Sequence, residues 1–582
     1  MLSENWPWAR FAETKWAALW AWFDRSVRGY RAKPRDRAIP ALAWEIPNFL
    51  GHKKVDLDVH FDRRPRARAA RVTARAKMKV HIGFFCVALL AAAPAAARVQ
   101  TQIELSAHDY ALLSRITWGA SESDARELKR LGPAAWLDHQ LHPGASDRLP
   151  RDAQDQINAL TLLSEPLPDL VRHERQQAQA RNAITDPTQR AAADAAYQQS
   201  LNDVVNQART RAILRDLYAS DQLREQMVWF WMNHFNVFQY KDDVRLLIGD
   251  FEERAIRPHA LGRFRDLLEA TLRHPAMLRY LDNAQNAAGH INENYARELM
   301  ELHTVGVNGG YTQADVQALA HILTGVGIDE NPNPPALRPG LQSQLIRDGL
   351  FEFNPTRHDF GAQTFLGVTI ASGGYDQVRR ALDMLARRPA TAHFISQQLA
   401  MYFMGGAPAG DVVEHMAATF ERTDGDIARV LATLFNSREF TASLDRGVVK
   451  DPMHYAISAV RLAYNDRVVR NTAPVQNWLT RMGEGLYNHD TPDGYPLSST
   501  AWLGPGQLDI RFEIASALGG GSAGLFHTTA GDEPAFPNLR NSLFYTAIEP
   551  TLRQPTQAGL AQATSQQDWN VFFLCSPDFM MR

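Results

Sequence analysis

Three stretches of this chain set ionisable side chains among apolar residues, and together they suit metal or proton chemistry. The first is Arg224-Glu-Gln-Met-Val-Trp-Phe-Trp-Met-Asn-His-Phe235. Met227 to Met232 is apolar on every side, which predicts a helix buried all round with Asn233 and His234 at the edge of a core. Buried polar groups need partners. A metal ion, a proton to move or a backbone carbonyl would each satisfy His234, and the carbonyl is the plainer and preferred reading. The second stretch is Asn292-Glu-Asn-Tyr-Ala-Arg-Glu-Leu-Met-Glu-Leu-His-Thr-Val-Gly306. Glu298 and Glu301 are three apart, so two carboxylates could meet one cation. Glu293, Arg297 and Glu301 at i, i+4 and i+8 equally form an ordinary salt-bridge ladder, which is favoured. The third, Thr356-Arg-His-Asp-Phe-Gly361, pairs His358 with Asp359, a combination that binds metals or exchanges protons but is common by chance.

If the three stretches converge, His234, Glu298, Glu301 and His358 are the candidate ligands of a divalent metal ion, the cofactor that these side chains suit. Asn233, Asn294, Arg297 and Asp359 complete the polar cluster, and a metal there would make water nucleophilic near neutral pH. Familiar signatures are missing: His-Glu-x-x-His, Gly-x-Ser-x-Gly, Cys-x-x-Cys and the dinucleotide glycine pattern do not occur. Gly519-Gly520-Gly521 precedes no Lys-Ser/Thr pair, so it is no phosphate loop and reads as a hinge.

Helices must position these residues. Ile427, Val430, Leu431, Leu434 and Phe435 fall on one helical face, and Val378, Leu382 and Leu385 repeat the spacing. Pro389 opens another helix at a tolerated first-turn position, Gly306 reads as a helix stop, and Thr312 with Asp315 reads as a capping box. Period-two alternation is scarce. The fold class is therefore mainly α, a large multi-helix assembly with long irregular loops and little or no sheet. Residues 173–214, rich in Gln, Ala and Arg, predict a polar helical insertion, solvent-facing and hairpin-like. The stretches 329–349 and 487–507, rich in Pro, Gly and Ser, predict loops. Leu434-Phe-Asn-Ser-Arg-Glu-Phe440 and Phe573-Leu-Cys-Ser-Pro-Asp-Phe579 echo one another, too briefly to make a repeat.

Composition limits the partners. Residues 1–77 carry 17 basic and 8 acidic side chains, while the remaining chain carries 45 basic and 56 acidic ones. An acidic body has the wrong sign for replacing phosphate counterions, which argues against nucleic acid. Met78-Lys-Val-His81, the apolar run Ile82 to Ala93, Pro94 and Ala95-Ala-Ala97 have the three-part layout of a secretory signal peptide cleaved after Ala97. This reading makes 78–97 the signal segment and 98–582 one large helical domain, in the periplasm or outside the cell. Residues 1–77 then read as a non-native or disordered extension, the Trp-rich stretch 5–23 included. An uncleaved segment would be the only membrane contact. Without Cys86, one thiol, Cys575, remains, so no internal disulfide forms.

The chain also resembles a bacterial family catalogued as domain of unknown function 1800. The resemblance is carried by Arg115-Ile-Thr-Trp-Gly119, Arg224-Glu-Gln-Met with Asn233-His-Phe235, and Ala276-Met-Leu-Arg-Tyr-Leu-Asp-Asn-Ala-Gln-Asn286. It continues through Asn292 to His303, Gly310-Tyr-Thr-Gln-Ala-Asp-Val316, Leu323-Thr-Gly325, His358-Asp359 and Thr364-Phe-Leu-Gly367, then Asp493-Gly-Tyr-Pro496 and Ser576-Pro-Asp-Phe579. Val326 and Gln363 depart from the usual Trp and Lys. The resemblance implies export and a neighbouring exported protein that looks like a sulfatase or phosphatase, and it brings no assigned activity. Two functions remain open. One is a binding or scaffold partner of a separate envelope enzyme, which is preferred. The other is a metal-dependent hydrolase of an extracellular polymer, ester or sugar derivative.

Overall fold

The spacing read after Asp426 becomes the Ile427–Phe435 helix, whose first turn is closed by the Asp426 carboxylate accepting the Arg429 N–H at 3.0 Å. Its buried face meets the Gly410–Arg422 helix, which packs in turn on the Pro389–Met404 helix, where Pro389 stands first. The computed structural model describes residues 104–144, 148–408 and 410–582. They belong to one compact unit spanning 97–582, dominated by helices around a continuous apolar core from Leu105 to Met580. The proposed signal segment, the extension before it and the Trp-rich stretch lie outside the described residues. Among the described residues no helix is long and apolar enough to cross a membrane.

Strands are few, as the scarce alternation implied. Val326–Ile328 and Ile346–Asp348 flank Phe351–Phe353 in an antiparallel sheet, with Val326 and Ile346 both opposite Phe353. Two-stranded pairs form at Gln363–Phe365 with Val368–Ile370 and at His527–Thr528 with Gly531–Asp532. The prolines of 329–349 leave a loop interrupted by one short helix, Pro339–Gln342, and the strand Ile346–Asp348.

Three local readings change with the fold in view. The polar stretch forms the packed helices Leu167–Ala183 and Pro187–Tyr218, but only the outer part faces solvent. From Leu201 onward Val204, Val205 and Ala208 are buried, because the second helix runs back into the core. The glycine run is not a hinge. The Pro505–Gly519 helix ends there, and a side chain at Gly519 would meet the Val571 backbone nitrogen at 3.0 Å, so this glycine lets the Gln566–Leu574 helix approach. The echoed segments share one small device: Ser437 Oγ accepts the Phe440 N–H and Ser576 Oγ accepts the Phe579 N–H, at 3.0 and 3.1 Å.

Candidate functional site

Gln222–His234 is the buried helix that its apolar run predicts, with Met227, Phe230 and Trp231 in the core. His234 is its last residue, and its Nε2 donates to the His303 carbonyl at 3.2 Å. Phe230 stacks on the imidazole and Phe235 meets its edge. Desolvation by this surround brings the pKa of His234 down to about 4 and that of His303 well below the usual value, so both rings are neutral at pH 7. Asn233 clamps a distant loop: its side chain donates to the Tyr495 carbonyl at 2.9 Å and accepts the Tyr495 N–H at 2.6 Å. Gly494 must be glycine for this, since its φ is +70° and a Cβ would come within 2.3 Å of the Asn233 carbonyl. Asn236 holds the same loop through the His489 and Thr491 carbonyls.

The asparagine-rich stretch is a joint. Asn283 donates to the Val326 carbonyl, Asn286 to that of Ala320, Asn292 to that of Asp282 and Asn294 to that of Leu281. The short helix Asn294–Glu301 carries the ladder, with Arg297 3.1 Å from Glu293 and 3.5 Å from Glu301. Glu298 stands outside it. Burial, with Glu301 beside it, raises the Glu298 pKa. The capping box at Thr312 and Asp315 is present at the start of Gln313–Ile322.

His358 is tied down at both ring nitrogens, by the Thr324 carbonyl at 2.8 Å on one side and Gly373 O and Gln377 Oε1 at 3.0 and 2.9 Å on the other. Neither nitrogen has room for a metal. Asp359 pairs instead with His321, a residue the sequence did not single out, at 2.7 Å, and the Gly361 N–H and this imidazole hold its pKa below the ordinary value. Among the described residues, no three His, Cys, Asp or Glu side chains gather so as to hold a metal ion. His234, Glu298, Glu301 and His358 are thus not brought into one centre, because two of them serve the joint between helices and one the ladder.

The same helix lines a chamber on another face. On it Glu225, Trp229, Met232 and Asn233 are spaced i, i+4, i+7 and i+8, and with Asn236, two residues past its end, they border a cavity of about 40 Å³. By that measure it holds roughly two or three waters or one ammonium group. Asp216, from the end of Pro187–Tyr218, and Glu252, from the π-helical turn Phe251–Ile256, complete an acidic floor. Such turns recur at functional sites. Trp229, Leu486 and Tyr495 are half-exposed and form the mouth. Glu225 is bidentate with Arg257 at 2.6 Å, and Glu252 accepts the Tyr487 hydroxyl at 2.7 Å. Asp216 differs. It is 6% exposed, and the Trp118 indole N–H leans towards it without reaching hydrogen-bond geometry. Burial, then Glu225 and Glu252, push its pKa well above the ordinary carboxylate value, against an opposing pull from Arg257. The one-sided spacing after Glu225 was the available sequence signal. Asp216 and Glu252 gave none, because only the fold brings them there.

A second histidine–aspartate contact, His454 Nδ1 to Asp451 at 2.7 Å, is sealed in the core, with Arg582 against the other ring nitrogen.

No curated protein and no solved structure matches this chain. The sequence model of one family does, over residues 111–581, and its description reads protein of unknown function, DUF1800. The match covers most of the chain, and the protein belongs to that family.

Proposed function

We propose that this protein is an exported, non-catalytic binding partner of a separate enzyme, and that its acidic chamber receives a lysine ammonium of that partner. The observation that carries the reading is the Asp216 carboxyl, buried and lacking a well-formed hydrogen bond at the floor of a cavity sized for one small cation. Aromatic side chains at the mouth, Trp229 and Tyr495, suit the passage of a cation's stem. A compact ammonium fits where the wide, planar guanidinium does not. The side chains that a metal hydrolase would use are engaged elsewhere: His234 on a carbonyl, His358 at both nitrogens and Arg297 in its ladder. The exported sulfatase-like or phosphatase-like neighbour that the family resemblance implies is the candidate partner.

Binding a cation would ionise Asp216, so affinity rises with pH and a proton is released. The test uses the full chain and n-butylammonium, which mimics the lysine side chain, in calorimetry with two buffers of different ionisation heat. A dissociation constant on the order of millimolar is expected for so small a ligand. The apparent heat should differ between buffers by the release of a proton. Asp216→Asn, matched in shape, should lose binding while keeping its circular dichroism. Absence of binding to the unaltered protein, or equal binding by the variant, overturns the reading.

A further inference from the structure

Away from the chamber, the stretch Val448 to Lys450 pairs antiparallel with residues 580–582: Val448 and Lys450 N–H groups donate to Arg582 and Met580 carbonyls at 2.8 Å. This pairing carries the Lys450 side chain inward until 6% of the residue remains exposed. Its Nζ lies 3.7 Å from the centre of the Phe579 ring, and among the described residues no oxygen accepts a hydrogen bond from it. Phe579 ends the Ser576-Pro-Asp-Phe579 motif, for which the proposed function has no use.

The other lysines of the described residues are Lys129 and Lys241. Lys129 donates to the Glu104 carbonyl at 2.8 Å and Lys241 meets Asp282 at 3.1 Å. In a body whose cations are overwhelmingly arginines, the buried cation without a polar acceptor is therefore a lysine, the one of the two that becomes a neutral amine when buried. Burial, and then the Arg511 and Arg582 guanidiniums, depress its pKa well below the ordinary ammonium value, against an opposing pull from Asp451.

Lys450 lines a cleft of about 410 Å³, within the range of small-molecule sites. Ile548, Leu552 and Phe579 give it apolar walls. Arg446, also on its lining, is exposed and forms no ion pair with the described residues, so it offers an anchor for an anion. We infer that this cleft binds a small anionic carbonyl compound, an aldehyde or 2-oxo acid, and that the Lys450 amine captures its carbonyl carbon as an imine. The nitrogen lone pair forms the C–N bond as the carbonyl π pair moves to oxygen, and a proton passes from nitrogen to that oxygen. The carbinolamine then loses water: the nitrogen's electron pair becomes the C=N bond as the C–O bond breaks, and the second amine proton departs with the oxygen. No oxidant or reductant takes part. The cleft and the acidic chamber have separate linings, so neither proposal depends on the other.

The test is reductive trapping on the folded full chain at pH 7, with glyoxylate and cyanoborohydride, followed by peptide mass mapping. Carboxymethylation of Lys450 is expected at least about tenfold faster than that of Lys129 or Lys241, in line with a larger neutral-amine fraction. Propionaldehyde, which lacks the anion, should be trapped several-fold more slowly at Lys450, and Arg446→Gln should remove that preference. Trapping of Lys450 no faster than of the other two lysines, or only after denaturation, overturns the imine site. Equal trapping of both aldehydes, or an Arg446→Gln variant that keeps the preference, overturns the anionic substrate class. The decisive comparison needs no variant, so a folding defect cannot mimic it.

Discussion

Around His358 both ring nitrogens meet acceptors, Gln377 is fixed by donating to Gly361 and Ala371, and Thr324 Oγ1 accepts the Asp359 N–H. Around Asp216, a carboxyl equally removed from water forms no hydrogen bond with the described residues, although the Trp118 indole is turned towards it. A helical protein needs the first kind of region, since loops and helix ends bring buried polar backbone that side chains must satisfy. The second kind costs stability and persists where something else is gained. The contrast separates polar residues that position the fold from the carboxyl on which the proposed binding reading rests.

The largest effect should come from breaking the satisfied region. His358→Ala would remove a buried ring whose nitrogens face the Thr324 carbonyl on one side and the Gly373 carbonyl and Gln377 amide oxygen on the other, leaving a buried acceptor without its donor and a void in the joint. Each buried orphan costs about 1–3 kcal/mol, with partial relief from rearrangement, so a loss of about 3 kcal/mol is expected in urea unfolding. A loss under about 1 kcal/mol would mean that the joint relaxes easily and that the contrast is misplaced.

Opposite in sign and smaller is the effect of relieving the unsatisfied region. An unfolded aspartate ionises near pH ~3.9, whereas the folded chain holds the Asp216 proton to well above that. The stability that the protonated carboxyl contributes is therefore full below about pH 4 and is lost as pH rises towards the folded pKa. Asp216→Asn removes this slope. The variant should match the parent near pH 4 and exceed it by about 1 kcal/mol or more at pH 7.5, measured by denaturant unfolding at both pH values. A variant less stable at pH 7.5 would show that the carboxylate is satisfied after all.

The helices and the ladder were legible in the sequence, whereas the role of His358 and the make-up of the chamber were not. Periodicity alone places the Ile427–Phe435 and Gln222–His234 helices, because a core face repeats every 3.6 residues whatever it packs against. The Glu293, Arg297 and Glu301 ladder is also local and needs no tertiary knowledge. The metal grouping fails because proximity was inferred from composition: His358 faces the Tyr375–Ala386 helix through Gln377, whereas His234 faces Phe394 and His303. The chamber takes Asp216, Glu225 and Glu252 from three elements, and no single window of sequence contains that convergence. Lys450 escaped for a related reason, since its burial depends on strand pairing with residues 580–582.

The smallest effect tests whether the ladder belongs to either region. Arg297 is 37% exposed, and its partners Glu293 and Glu301 are 33% and 26% exposed. Water and salt screen such pairs, which contribute about 0.3–0.5 kcal/mol each in helices. Arg297 also donates to Gln313 at 2.9 Å, which links the short Asn294–Glu301 helix to the next one. Arg297→Ala should therefore cost about 0.5–1 kcal/mol at low salt and less in 1 M salt. A double-mutant cycle with Glu301→Gln isolates one ion pair from the Gln313 link, which also engages Glu293, since only the ion pair should fade with salt. Butylammonium binding at the chamber should be unchanged in the variant, because Arg297 lies outside that lining. Were binding to fall with Arg297, the ladder would be coupled to the chamber, and the division between positioning and reserved polar groups would have to be drawn elsewhere.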